Sequence, residues 1–262
     1  MKRKNLFINQ VIDSIKNFDS YKEISECKVL NSFIYFLLLI LIYAIISTIG
    51  ITYKTNAKIK NAQNFIRDEI SSISYNDGIL SVNGDEYSSY YGNYLIIDTS
   101  ENANIEDYNA SMIFGKRNFY IKVEQNMMKF SYSNFFNQNV DKDTIVEALN
   151  SDNYTALIII VSLVGAFIVL SISTLLDILV IAVIGFIISE IIGNNKIKFK
   201  NAFNIAVHAV TLSVILGMVY FLVNTFTGFY VKYFSTMYTL LATIYMVTAV
   251  ILINAEDNSN NS

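Results

Sequence analysis

Two apolar stretches, Phe33–Thr52 and Ala156–Leu176, constrain this chain more than any other feature of its sequence. An α-helix rises about 1.5 Å per residue, so about twenty apolar residues cross the roughly 30 Å hydrocarbon layer of a bilayer. Both stretches have that length, and most of the charged residues lie between them. The sequence therefore predicts an integral membrane protein that carries a polar domain between its first and second spans.

The composition agrees with this assignment. Of the 262 residues, 53% are hydrophobic and only 16% are charged, whereas soluble domains contain about 25% charged residues. The single cysteine, Cys27, precedes the first apolar stretch. The polar domain therefore has no thiol with which to form a disulfide.

The charges are segregated along the chain. Residues 1–28 carry six basic and four acidic side chains, whereas residues 54–153 carry nine basic and fourteen acidic ones. Lys196, Lys198 and Lys200 follow the second apolar stretch. Lysine and arginine accumulate on the cytoplasmic side of membrane proteins. We therefore expect a multi-pass cell-membrane protein with both termini in the cytoplasm and residues 54–153 outside it.

The N-terminal segment has an apolar stripe at helical spacing, formed by Phe7, Val11, Ile15 and Phe18. An apolar stripe next to basic residues is typical of helices that lie in the membrane surface. We expect residues 1–30 to form a cytoplasmic amphipathic helix. The alternative is a helix packed on the protein's own loops. Residues 31–53 then form the first transmembrane helix.

Residues 54–153 have the pattern of an extracytoplasmic α+β domain, in which helices flank an antiparallel sheet. Asp77-Gly78 between two β-favouring runs is a strong hairpin signal. Asp141 or Asp143 is suited to cap the N-terminus of the second flanking helix. The predicted strands are Ile73–Tyr75, Ile79–Val82, Tyr94–Thr99, Met112–Phe114, Phe119–Val123 and Met127–Tyr132.

Residues 154–254 are predicted to form a C-terminal transmembrane bundle, followed by a disordered cytoplasmic tail, 255–262. One long helix over 155–193 and spans at 203–223 and 237–253 give four crossings in all. Two tight spans within 154–193 are the alternative, with five crossings. The lysine distribution and the lack of turn residues near Asp177 favour the single long helix.

Three ionisable residues, Asp177, Glu190 and His208, are candidates for an intramembrane polar group, since such residues are functional candidates by default. Asp177 and Glu190 lie about 20 Å apart on one straight helix, so they cannot share a proton there. His208 is placed to pair with either carboxylate from a neighbouring helix. The alternatives are two hydrated carboxylates near the cytoplasmic helix end and an uncharged histidine bonded to a neighbour.

A candidate outer binding surface consists of Asp98 and a cluster of tyrosines, Tyr87, Tyr90, Tyr91 and Tyr94. Aromatic rings with a polar tip suit sugar faces, the sheet surface or lipid headgroups. Asp98 is more suited to cap a turn than to bind a cation, because no further oxygen ligands follow at calcium-loop spacing.

The chain lacks the motifs of a catalytic, cofactor or metal site. Its lone histidine has no cysteine or histidine partner for zinc, and neither a nucleophile motif nor a glycine-rich phosphate loop occurs. We therefore predict that it is not an enzyme, that it needs no cofactor and that it does not bind nucleic acid.

Three segments carry a resemblance to a known family: Asp77-Gly78-Ile79-Leu80-Ser81-Val82, Leu95-Ile96-Ile97-Asp98-Thr99 and 198–212. With this order of spans, the chain resembles the domain-of-unknown-function 1189 family of Firmicutes, and in outline the Yip-type membrane domains. It has His208 where that family has an aromatic residue and Ser213 where it has proline. The resemblance implies a bacterial plasma-membrane protein, and a maltodextrin-utilization label on some members implies a role beside sugar uptake.

We predict a non-enzymatic sensing or scaffolding module with an outer ligand- or partner-binding domain. Its partners would be the lipid bilayer and another membrane protein or transporter. The alternative is an accessory component of carbohydrate (maltodextrin) uptake or a small transporter. A carrier should show inverted repeats or broken helices, and the glycines in the C-terminal spans form no repeat. An intramembrane hydrolase would need a second acidic group at matching depth.

Overall fold

The computed structural model describes residues 7–83, 88–91, 95–110, 112–123, 126–134, 139–192 and 197–260. The chain divides into two compact units. Met1–Lys54 and Leu157–Ser262 form what we call the helical unit, and Thr55–Ala156 form the sheet unit. These boundaries lie close to the predicted domain limits at 54 and 153.

The described residues contain eight α-helices and eight β-strands. The helices are α1 (Phe7–Lys16), α2 (Ser20–Glu26), α3 (Val29–Glu69), α4 (Lys142–Ala148), α5 (Ser151–Ile192), α6 (Phe199–Ala209), α7 (Thr211–Thr227) and α8 (Phe234–Asn260). The strands are β1 (Ile73–Asn76), β2 (Ile79–Val82), β3 (Ser88–Tyr91), β4 (Leu95–Asp98), β5 (Met112–Gly115), β6 (Asn118–Val123), β7 (Asn126–Ser131) and β8 (Val140–Asp141). Ile105–Asp107 and Tyr132–Asn134 are short 3₁₀ turns.

Four helical segments of the described chain are long and apolar enough to cross a bilayer: Val29–Glu69, Thr155–Ile192, Phe199–Thr227 and Phe234–Glu256. The second is one uninterrupted helix, as the sequence predicts, so no turn occurs at Asp177. The third is interrupted at Val210, between α6 and α7. The interruption occurs although the chain has no proline.

The helical unit buries one stripe of each long helix in a common core. Tyr35 and Ile40 of α3 pack there with Ile181 of α5, Ile205 of α6 and Met246 of α8. Gly185 allows α5 to approach α8 closely, because a Cβ at this position would lie 1.7 Å from Cε of Met246.

The N-terminal segment differs from the single helix expected over residues 1–30. It forms two helices, α1 and α2, and Phe7, Val11 and Phe18 pack against the core of the helical unit. The side chain of Asn204 in α6 donates to the carbonyls of Ser25 (3.1 Å) and Cys27 (2.8 Å) at the end of α2. The apolar stripe of this segment is thus partly used for packing on the protein itself.

Part of the expected disordered tail over 255–262 is helical, and residues 261–262 lie outside the described residues. Helix α8 continues to Asn260, and Nζ of Lys22 in α2 lies 3.0 Å from a carboxylate oxygen of Glu256. This ion pair and the continuing backbone hydrogen bonds extend α8 past its apolar part.

The sheet unit contains two sheets, with strand orders β2-β1-β8 and β3-β4-β5-β6-β7. The β1–β2 turn has positive φ at both central residues, 49° at Asp77 and 83° at Gly78, the requirement of a type I′ turn. Asp141 caps α4 by accepting from the backbone N–H of Thr144 at 2.9 Å. The core of the unit joins the end of α3 to both sheets through Ile66, Ile70, Ile73, Tyr75, Leu80, Val82, Ile97 and Tyr132.

The structure corrects the prediction of one antiparallel sheet, because the strands form two sheets and one of the strand pairs is parallel. Strands β4 and β5 are parallel, with Leu95 opposite Met112 and Asp98 opposite Gly115. Parallel neighbours need a crossover of about a dozen residues or more. Residues 99–111, which include the Ile105–Asp107 turn, provide that length.

Candidate functional site

Asp98 is the predicted site residue of the sheet unit whose side chain the structure describes. It ends β4, it is only 3% exposed, and its carboxylate accepts from the backbone N–H (3.0 Å) and the hydroxyl (2.5 Å) of Ser100 and from the Tyr108 hydroxyl. Burial raises the pKa of Asp98, but these hydrogen bonds outweigh it and hold the pKa below the ordinary value. Asp98 therefore caps the turn after β4, as predicted.

The turn capped by Asp98 forms one wall of a cleft of about 270 Å³ in the sheet unit. The opposite wall is the turn between β5 and β6. The lining residues come from these two segments: Asp98, Ser100, Glu101, Ala103, Ile105, Gly115, Lys116, Arg117, Asn118 and Tyr120. Most of these side chains are polar, so the cleft is suited to a polar ligand or a polar side chain of a partner.

Charges of both signs surround this cleft. The ammonium of Lys116 lies 3.0 Å from a carboxylate oxygen of Glu101, and its hydrogen bond to Glu101 lowers the pKa of that carboxyl. Arg117 is exposed, and its positive charge also acts on the Glu101 carboxyl. A guanidinium in this position is suited to bind a carboxylate or phosphate with two parallel hydrogen bonds.

The side chains of the predicted tyrosine surface lie outside the described part of the structure. Tyr87 and Tyr94 lie outside the described residues, and Tyr90 and Tyr91 are described only as backbone in β3. Of the predicted outer surface, Asp98 alone is placed, on the wall of the cleft. The sequence did not predict the other polar residues of the cleft, Glu101, Lys116, Arg117, Asn118 and Tyr120. The one signal for them in the sequence is the pair of adjacent cations, Lys116 and Arg117, in the turn between two apolar strands.

The three predicted intramembrane residues are not brought together among the described contacts. His208 is 3% exposed, and its Nδ1 lies 2.7 Å from the hydroxyl oxygen of Ser14 in α1. That hydroxyl donates its only hydrogen to the carbonyl of Gln10 at 2.6 Å. The contact between His208 and Ser14 links α6 to α1.

Asp177 and Glu190 have different surroundings. Asp177 is partly exposed on α5 and acts electrostatically on the Tyr238 hydroxyl of α8. Glu190 is exposed near the end of α5. The described part of the chain contains no group of three or more histidine, cysteine or acidic residues placed to hold a metal ion. The polar cleft of the sheet unit is therefore the leading candidate site.

Comparison with known proteins identifies a family for this chain. No curated protein and no solved structure matches the chain. The family described as Protein of unknown function (DUF1189) matches residues 8–250, which is nearly the whole chain and includes all three sequence segments that carry the resemblance. Because the match extends from α1 into α8, the chain belongs to the DUF1189 family.

Proposed function

We propose that this chain is a non-enzymatic sensing or scaffolding protein of the cell membrane, whose sheet unit binds a ligand or partner protein outside the cytoplasm. One observation carries the proposal: the polar cleft between the turn at Asp98 and the turn at Lys116 and Arg117. Three hydrogen bonds to a buried carboxylate hold the first wall, and the β5–β6 hairpin forms the second.

Membrane insertion is supported by the surface of the helical unit. Large apolar side chains are exposed along its long helices, for example Ile160 (61%), Val169 (65%) and Leu240 (57%). Soluble monomers rarely expose contiguous apolar patches of such extent. Four helices of sufficient length and apolarity are therefore proposed to cross the membrane.

The proposed orientation rests on charge. The sheet unit includes most of the acidic segment 54–153, whereas residues 1–28 and the lysines after α5 are basic. Basic loops remain in the cytoplasm, so the sheet unit is proposed to face the exterior. In this arrangement α1 and α2 lie on the cytoplasmic side.

Cysteine labelling tests the orientation. In a Cys27→Ser background, Glu106→Cys and Lys200→Cys each place one thiol at an exposed position. A membrane-impermeant maleimide is expected to label the first variant in intact cells and the second only after lysis. The opposite pattern would contradict the orientation.

Photo-crosslinking tests the cleft. A photoreactive amino acid at Asn118, on the cleft wall, is compared with the same group at Asp143, which is exposed on α4. We expect a discrete adduct in intact cells from position 118 only. Arg117→Ala should reduce its yield. Equal adducts from both positions, or none at all, would argue against a binding site.

The second candidate is an accessory role in carbohydrate uptake. It is favoured by Tyr120, whose side chain lines the cleft among polar groups, since aromatic rings stack on sugar faces while polar groups bind the hydroxyls. Uptake of labelled maltodextrin by cells that express Tyr120→Ala separates the two candidates. Reduced uptake supports the accessory role, and unchanged uptake supports a sensing or scaffolding role.

A further inference from the structure

Asp177 has no cation of its own chain to neutralise it within the apolar helices. The segments 29–53, 155–192, 201–227 and 234–256 contain neither lysine nor arginine. No ion pair joins Asp177 to any described residue, and the imidazole of His208 is bound to Ser14. Among the described residues, the carboxylate therefore has no counter-charge.

The core of the helical unit places Asp177 beside the apolar part of α3. Its neighbour in sequence, Ile178, is fully buried in the core that also contains Leu39 and Ile40, and these two residues lie in the apolar stretch Phe33–Thr52. Asp177 therefore borders the apolar core that α5 shares with α3. This step rests on the membrane placement proposed above.

The side of α5 next to Asp177 is open. Six residues at spacings of three and four form an outward stripe, each more than half exposed: Val161, Val164, Ile168, Ile172, Leu176 and Val180. Asp177 borders the stripe, one turn from exposed Ser173 and from Val180. The carboxylate is therefore accessible to a helix that packs along α5.

We propose that this face of α5 is the docking surface for a transmembrane helix of another protein, and that this helix carries a lysine or arginine at the depth of Asp177. A charge in hydrocarbon is costly unless it is paired, and intramembrane ionisable groups usually pair with one another. Lipid tails provide no counter-charge. A second copy of this chain would bring a like carboxylate to the same depth, so it is the less suitable occupant.

The test uses the full-length protein in phosphatidylcholine vesicles, with energy transfer to a synthetic leucine-rich transmembrane peptide. One peptide carries a single central lysine, and its matched control has leucine there. We expect the lysine peptide to bind the wild-type protein about tenfold more tightly than Asp177→Asn. Glu190→Gln, which removes another carboxylate of α5, should bind like the wild type. Equal binding by wild type and Asp177→Asn would overturn the proposal.

A thiol at Ser173 separates failure of the docking from failure of the membrane placement. In the Cys27→Ser background, Ser173→Cys should resist a water-soluble maleimide in these vesicles. Labelling of this thiol would overturn both the placement and the docking. If this thiol resists the maleimide, equal peptide binding by wild type and Asp177→Asn would overturn the docking alone.

Photo-crosslinking from position 173 in native membranes identifies the natural occupant. The proposal expects a protein with lysine or arginine inside a transmembrane segment, and it expects Asp177→Asn to reduce the yield about tenfold. Exchanging the two charges, with Asp177→Lys and an acidic residue in the partner, should restore the adduct. Capture of a second copy, of lipid alone or of a partner without such a cation would overturn the proposal.

Discussion

The imidazole ring of His208 lies flat against the phenol ring of Tyr35, with 4.2 Å between the ring centroids and 12° between the planes. The Tyr35 hydroxyl is 2.9 Å from that of Thr211, and Nδ1 of His208 binds Ser14. These contacts join α1, α3, α6 and α7. His208 acts as an aromatic packing residue, at a position where the family resemblance expects an aromatic ring.

We therefore expect His208→Phe to be tolerated and His208→Ala to be damaging. Phenylalanine keeps the ring stack and loses one hydrogen bond, at a cost of about 1 kcal/mol. Alanine leaves a cavity beside Tyr35, at a cost of about 3 kcal/mol. Unfolding in detergent, followed by circular dichroism, measures both, with exposed Lys200→Ala as the control. If the two variants were equally unstable, the hydrogen bond to Ser14 would matter more than the stack.

The sequence left two environments open for His208, a pair with Asp177 or Glu190 and a hydrogen bond to a neighbouring group. The structure shows the second, with the Ser14 hydroxyl as the partner, and adds the ring stack on Tyr35. Helical periodicity shows which face of a helix is buried, but it does not show which two faces meet. A contact between residues 35 and 208 has no local signal, since it depends on how four helices pack.

Two tyrosines bind carbonyls at the C-terminal end of α1. The Tyr21 hydroxyl donates to the carbonyl of Ser14 at 2.7 Å, and the Tyr245 hydroxyl donates to that of Ile15 at 3.1 Å. Carbonyls in the last turn of a helix receive no backbone hydrogen bond from within that helix. Tyr21→Phe and Tyr245→Phe should each cost about 1 kcal/mol and increase hydrogen exchange in α1. Tyr53→Phe, at an exposed position, is the control. Unchanged exchange in α1 would show that the hydroxyls do not hold this helix.

Gly185 and Met246 are expected to be energetically coupled. Gly185→Ala should cost about 2 kcal/mol, because the added methyl group overlaps buried Met246. Met246→Ala alone leaves a cavity, and the double variant should be more stable than the sum of the single effects predicts. Gly165→Ala, where a Cβ meets nothing within 4 Å, serves as the control. If the effects of the two substitutions simply add, α5 and α8 move apart to accommodate the added methyl group.

The parts of the fold that depend on local properties were predictable. Apolar length indicated the four long helices, and Asp77-Gly78 indicated the first hairpin. The parallel pairing of β4 with β5 was not predictable, because strand direction depends on the path of residues 99–111. The cleft was missed for a similar reason. Glu101 follows β4 and Lys116 follows β5. Only the parallel pairing of these two strands brings their C-terminal ends to the same edge of the sheet.

Asp98 predicts how the stability of the sheet unit depends on pH. Its folded pKa lies below the ordinary value of 3.8, so its stabilising effect is present above about pH 4 and is lost as the pH falls through the folded pKa. Asp98→Asn should cost about 2 kcal/mol at pH 6, because the hydrogen bonds to a charged group are lost.

The difference in unfolding free energy between the wild type and Asp98→Asn should shrink below pH 4. Urea unfolding in detergent measures it, and exposed Glu106→Gln should keep the wild-type pH profile. A difference that stays constant from pH 6 to pH 3 would mean that the charge of Asp98 does not stabilise this turn.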